Sequence, residues 1–403
     1  MSKDTIAGHA VSQNKLIVGG EEGEALTGDI FEGLSSPHDI VVARYVKGGV
    51  EGVDRAVTAA RQAFDSGPWP RRVSVDQVRV LHQVGQLIRR DRDRLAGAGK
   101  PITQALDEVD GSADLWEYGA TLARQSYSDA HNVLGTDALA VLVTEPVGII
   151  SIITPRNFPL LIVSQKLPFA IPGSCIAVVK PSQLTTQHRR RPPQAPPRAG
   201  ADDGVANIIT GGGDAMTGHP DTDMVLFTGS TAVGHKVAPS GGEQRKRIGL
   251  DLGGNSPQIV YADADLDAAI DAVVFGVYFN AGQRCNSGSR GLVHSSIAKD
   301  FQDQIVKRAP LVTRATLPPR SGRLLAVNRF PPSDGTSPNA RALGRDRYSA
   351  GDGYTQTSGA STSRPCSEAA SLVCRSRRRR SSGPCCQCSL STPCSRPSGL
   401  RTR

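Results

Sequence analysis

Cys285 stands in the run NAGQRCNSGSR, residues 280–290, with no second cysteine or histidine within metal-ligand spacing. Its neighbours are small and polar, so the thiol is expected to be accessible, and an accessible thiol held as thiolate is a nucleophile. A free cysteine is as readily inert core, and the run alone leaves both readings open. Other stretches offer partners. In TPRNFP, residues 154–159, two prolines bracket Asn157 and fix a turn; its amide could donate to an oxyanion or satisfy that turn. In RIGLDLGGNSP, residues 247–257, Asp251 lies between two leucines, mid-strand. A buried carboxylate with few partners there could serve as a general base; the other reading is a hydrogen-bonded or ion-paired structural acid.

Two stretches suggest a nucleotide. In AVVKPSQ, residues 177–183, Lys180 closes an apolar strand, a position from which a side chain reaches ligands at the carboxyl edge of a sheet. Taken alone it is equally a solvated charge. In DMVLFTGSTAVGHKV, residues 223–237, a strand runs into Gly229-Ser230-Thr231 and then a helix start. Free backbone N–H groups at such a junction suit a phosphate, although a tight strand-to-helix turn needs no ligand.

The elements that must position these residues are legible in outline. Residues 51–65 and 75–97 carry apolar residues at helical spacing, with Val78, Leu81, Val84 and Ile88 in the second. After Pro146, short apolar runs (GIISII, CIAVVK, VANIIT, DMVLFT, QIVYAD) alternate with longer segments, the pattern of a parallel sheet in an α/β fold. Residues 266–280 and 297–308 are expected to be helices. Two stretches break the pattern. TTQHRRRPPQAPPRAG, residues 185–200, holds four prolines where a helix should stand. Residues 311–403 are rich in Ser, Arg, Pro, Gly and Cys without a sustained period, a composition expected to stay disordered.

Composition divides the same way. The net charge is +9, but sixteen arginines against four acids fall after residue 310, so the remainder is slightly acidic. Of the eight cysteines only Cys175 and Cys285 precede residue 311, which argues for a reducing compartment rather than a disulfide framework. The first fifteen residues have no apolar core of a leader, and ALAVLVTEPVGIISIITP is interrupted by Glu145 and Pro146, so a cytoplasmic location without a membrane span is expected. Tail cysteines lack paired C-x₂₋₄-C knuckles and the arginines lack interleaved aromatics. No metal site is expected, and a tail that binds zinc or nucleic acid is the lesser reading.

Together and in order, EPVGIISIITPRNFPL, AVVKPSQ, LFTGSTAVG, LDLGGNSPQIVYADADLDAA and NAGQRCNSGSR resemble the NAD(P)-dependent aldehyde dehydrogenase superfamily, from about residue 15 to residue 310. The resemblance implies a Rossmann-like NAD(P)-binding domain over 15–250, an incomplete catalytic domain over 251–310, and a tail outside the pattern. It implies oxidation of an aldehyde to a carboxylic acid with NAD or NADP, in a family that forms homo-oligomers through a terminal strand that has no counterpart in this sequence. Cys285 would attack the aldehyde, Asn157 and the Cys285 N–H would hold the oxyanion, and Asp251 would activate the hydrolytic water. Lys180 and Gln183 would meet the adenosine ribose, Gly229 and Ser230 the pyrophosphate, and Gly213 the adenine side, with Thr154 and Gly234 as further cofactor-binding positions.

Departures stand beside this resemblance. Asp251 replaces the family's glutamate, Gln183 a frequent glutamate, and Arg156 a common tryptophan, while DRDRLAGA is shorter than usual. The family's later E-x-F-G-P run has no counterpart after QIVKRAP. Both anomalous stretches have the texture of GC-rich DNA translated out of frame, which implies an impaired enzyme or an inactive nucleotide-binding remnant.

Overall fold

The computed structural model describes residues 12–24, 28–35, 40–96, 102–125, 129–131, 139–183, 199–254, 256–315 and 387–391. They divide into two compact units at Leu252/Gly253. The chain begins with β1 (Ser12–Asn14), β2 (Leu16–Val18), β3 (Glu21–Gly23), β4 (Ile30–Ser35) and β5 (Ile40–Val46), then helices α1 (Gly49–Asp65), α2 (Ser74–Arg90) and α3 (Ile102–Leu122). In α1 the residues Val53, Ala56, Val57 and Ala60 are buried, and in α2 Val78, Leu81, Val84 and Ile88 are. Each helix thus lays one apolar stripe on the core, as its spacing dictates.

Next come β6 (Asp129–His131), β7 (Ala140–Leu142), β8 (Ile149–Ile153), α4 (Pro159–Ser164), α5 (Leu167–Ala170), β9 (Ile176–Lys180), β10 (Ala206–Ile208), α6 (Gly213–Gly218), β11 (Met224–Gly229), α7 (Thr231–Glu243) and β12 (Arg247–Leu252). A seven-stranded sheet runs β12-β11-β8-β9-β10-β2-β3. Its first five strands are mutually parallel, and β2 and β3 join antiparallel at the far edge. Every residue of β8 is buried, as are the first four of β9, because a central parallel strand is covered on both faces and must be apolar throughout. The chain lays β9 and β10 on one side of β8, then returns to lay β11 and β12 on the other. That reversal puts a crevice beyond the carboxyl ends of β8 and β11, where open α/β sheets bind ligands.

The second unit contains β13 (Pro257–Val260), α8 (Leu266–Tyr278), β14 (Arg290–His294), α9 (Ala298–Ala315) and β15 (Gln387–Ser391), with all three strands parallel. Its core gathers Val260, Ile270, Val273, Val274, Val277, Val293 and Phe301. Two expectations change here. Helix α9 continues to Ala315 rather than stopping near residue 308, since nothing in KRAPLVTRA is incompatible with helix except Pro310. Within the stretch expected to be disordered, residues 387–391 pair with β14, whose outer edge offers unpaired backbone groups. The rest of that stretch, and residues 184–198 of the proline-rich one, lie outside the described residues. Among the described residues no helix is long and apolar enough to cross a membrane.

Candidate active site

Four strand ends build the site in the first unit. Thr154 follows β8 directly, and its N–H donates to the Lys180 carbonyl at 3.1 Å, stitching the ends of β8 and β9 together. Thr154 is buried, and its Oγ1 meets no partner among the described residues. Lys180 ends β9 opposite Ile153. Burial pushes its ammonium down from the usual lysine range, with Asp214 the charge opposing that shift. Gly213 opens α6 beside it, and a Cβ there would lie 3.3 Å from Lys180 Cε. Gln183 is exposed beyond the strand. A buried hydroxyl without a partner and a half-buried cation beside a glycine are features a polar, anionic ligand would complete.

Across the crevice, β11 ends at Gly229 and α7 begins. Ser230 caps that helix, its Oγ accepting from the Val233 N–H at 3.3 Å. The cap satisfies one of the orphan donors at the helix start, and Ser230 itself is exposed. Gly234 is buried one turn on, where a Cβ would come within 2.6 Å of Leu252 Cδ2, so the glycine lets α7 lie close on β12. Its part is to seat the helix, at some distance along the chain from the turn. Asp251 sits on β12 opposite Thr228, whose Oγ1 donates to Asp251 Oδ2 at 3.2 Å. The expected buried carboxylate is corrected here: Asp251 is exposed. Among the described residues the strand is the outermost of the sheet and has a neighbour on one side only, so flanking leucines do not enclose it.

The loop from Thr154 to Pro159 carries Asn157, which is half-buried. Beyond α4 the chain reaches Lys166, which the sequence did not single out. Burial pushes its ammonium down, and the charge that opposes the shift is Asp251. A lone lysine inside LLIVSQKLPFAI was the available signal, since a charge in an apolar run is rarely idle. Glu108 was also missed. It is a buried carboxylate on α3, and its Oε1 accepts from the N–H groups of Leu160 and Leu161 at 3.0 and 3.2 Å.

Cys285 belongs to the second unit, in a turn that follows α8 and the 3₁₀ turn Phe279–Gly282. It is a free thiol, half-buried, whereas Cys175 is a free thiol buried in the first unit. The turn is fastened by its backbone. The Gly254 N–H donates to the Cys285 carbonyl at 3.0 Å, Ser256 N–H to Ser287 at 3.2 Å, and Ser287 Oγ to Gly276 at 2.8 Å. Gly253 lies beside the thiol residue, where an added Cβ would be in ordinary contact with the Cys285 carbonyl oxygen at 3.4 Å. Among the described residues no cluster of His, Cys, Asp and Glu could hold a metal ion.

The first unit is thus an open, largely parallel α/β sheet with polar groups at its carboxyl edge, the class of fold that binds nucleotides there, and the second carries a half-buried free thiol. The sequence model of the aldehyde dehydrogenase family matches residues 29–315, and the chain belongs to that family. It is 34% identical over 277 residues to betaine aldehyde dehydrogenase of Bacillus subtilis (strain 168), covering 66% of this chain and 56% of that one. It is 36% identical over 308 residues to the mitochondrial aldehyde dehydrogenase of Sus scrofa, covering 73% and 59%. Among solved structures, an NAD-dependent aldehyde dehydrogenase from Sinorhizobium meliloti superposes with TM-score 0.74 at 38% identity, over 79% of this chain and 66% of that one. Betaine aldehyde dehydrogenase from Staphylococcus aureus in complex with NAD+ gives TM-score 0.74 at 29% identity, over 79% and 67%. The chain thus spans somewhat under two thirds of the length of the curated relatives it matches.

Proposed function

We propose that the protein oxidises an aldehyde to a carboxylic acid with NAD or NADP, using Cys285 as nucleophile. The observation that carries this reading is the convergence of Thr154, Lys180, Ser230 and Asp251 at the carboxyl ends of β8, β9, β11 and β12, in a chain of this family. The unpartnered Thr154 hydroxyl and the desolvated Lys180 support a bound dinucleotide. Lys180 and Gln183 would hold the ribose hydroxyls, Gly229 and Ser230 the pyrophosphate, and Gly213 the adenine side, with Thr154 lining the site and Gly234 seating the helix. Gln183 carries no charge to repel a 2′-phosphate, so either dinucleotide is compatible.

The Cys285 thiolate would add to the carbonyl carbon, and its own N–H with the Asn157 amide would donate to the oxygen that gains charge. The bound nicotinamide supplies the hydride acceptor. The thioester left on Cys285 would be hydrolysed by a water whose proton passes to Asp251. The first unit would be the dinucleotide-binding domain and the second the catalytic one. A cytoplasmic setting and a homo-oligomer complete the reading. The exposed Leu139, Val141, Leu142 and Val143 at and beside β7 support a partner surface.

The test is steady-state formation of reduced nicotinamide with a panel of aldehydes, for the chain and for Cys285→Ser. Turnover that disappears in the serine variant upholds the reading. Dinucleotide binding without turnover would make the chain an inactive nucleotide-binding remnant, and absence of both would overturn the proposal.

A further inference from the structure

We infer that Glu108 is a positioning residue for the Asn157 loop, an inference that rests on the proposed role of Asn157. Helix α4 starts without a side-chain cap of its own: Phe158 occupies the cap position and Pro159 the first helical one. Its first free N–H groups, those of Leu160 and Leu161, point instead at Glu108 Oε1, at 3.0 and 3.2 Å. A carboxylate from another helix therefore does what a local Ser or Asp would ordinarily do. One turn on in the same helix, Ser112 Oγ donates to the backbone carbonyl of Glu108 at 2.6 Å. The same helix grips the other end of α4, where Trp116 Nε1 donates to Ser164 Oγ at 3.1 Å, buried.

The consequence lies in what flanks α4. Asn157 is two residues before it and Lys166 two residues after it. At its far end the Asn157 loop is tied to β9 through the Thr154 N–H. With Glu108 in place, the loop of residues 155–158 is anchored at both ends, by β9 and by α3. Without it, one buried and one part-buried donor lose their acceptor, and the loop loses its tie to α3 through Glu108. Helix α3 thus acts as the brace of this part of the site, with Glu108 Oε1 at the start of α4 and Trp116 at its end.

The test is hydrogen–deuterium exchange by mass spectrometry on the full chain, comparing Glu108→Ala with Glu108→Gln. Glutamine keeps an acceptor at the same reach. In the alanine variant, peptides spanning residues 154–164 are expected to exchange faster by about tenfold or more, with α1 unchanged. The glutamine variant is expected to restore most of the protection. Unchanged exchange in the alanine variant would overturn the inference. So would acceleration of equal size in α1, which would show a general structural role. An Asn157→Ala variant separates this from the functional reading: if it keeps full turnover, the role of Asn157 fails while the exchange result still reports the brace.

Discussion

At the scale of single residues, Cys175 and Cys285, the two cysteines before residue 311, make the sharpest contrast. Both are free, but Cys175 is buried and Cys285 half-buried. Brief treatment of the native chain with iodoacetamide is expected to label Cys285 and spare Cys175, as read by mass spectrometry; equal labelling would place the two thiols in like surroundings. Asp251 tests the base. Its carboxylate stands one methylene short of the family's glutamate, a retreat of about 1.5 Å, and a misplacement of that order can cost on the order of a hundredfold in rate. Asp251→Glu is expected to raise the rate of acyl-enzyme hydrolysis, and a variant slower than the parent would remove Asp251 from that role. Lys180 makes a pH prediction. Burial lowers its pKa, so the folded state binds its proton less tightly than the unfolded chain does. The neutral amine then forms at lower pH than on surface lysines, and acylation of Lys180 should reach its half-maximal rate at lower pH than theirs. Bound dinucleotide should slow that labelling, and a midpoint shared with the surface lysines would count against a desolvated site.

Elements set how close these residues can be held. Gly119 on α3 packs against the backbone of α5, where an added Cβ would meet the Pro168 carbonyl oxygen at 2.4 Å. Because backbone cannot step aside cheaply, Gly119→Ala is expected to lower stability by about 1–3 kcal/mol, measured by urea unfolding. Five of the parallel strands were legible because their apolar runs exceed what a half-exposed strand needs; β8 and β9 read IISII and IAVVK. The helices α1, α2 and α8 were legible from their period. The three-residue strands β1, β2, β3 and β6 were not, since three residues carry no measurable period. Asp251 was placed in the sheet correctly and misjudged in burial, because alternation does not reveal which strand is outermost. Glu108 and Lys166 escaped notice for a further reason: their partners are 52 residues away in one case and about 85 in the other, and no local pattern announces such a meeting.

Across the whole molecule, the family match ends at residue 315, where α9 also ends, and β15 is the one element described beyond it. Arginine, proline and serine dominate the next seventy residues, as arginine and proline do at 185–200. The out-of-frame reading of these stretches makes a direct prediction. Translating codons 184–200 and those from 308 onward in the two other frames should yield a helix-forming run in the first window and an E-x-F-G-P run in the second. If neither frame does so, the stretches are native to the protein, and a binding role for the arginine-rich segment gains weight.

The sheet order bears on how the chain is made. β8 is the first of the parallel strands to leave the ribosome and stands between the others, so each later strand finds an edge already waiting. The hairpin of β2 and β3 has no such luck. Among the described residues its sheet partner is β10, which pairs Ile208 with Ile17, about 190 residues later. At roughly 5–20 residues per second of synthesis, the hairpin waits about ten to forty seconds with an open edge. During that interval a nascent chain is exposed to unwanted strand pairing, and a chaperone that covers its first twenty-five residues would act before any part of the active site exists.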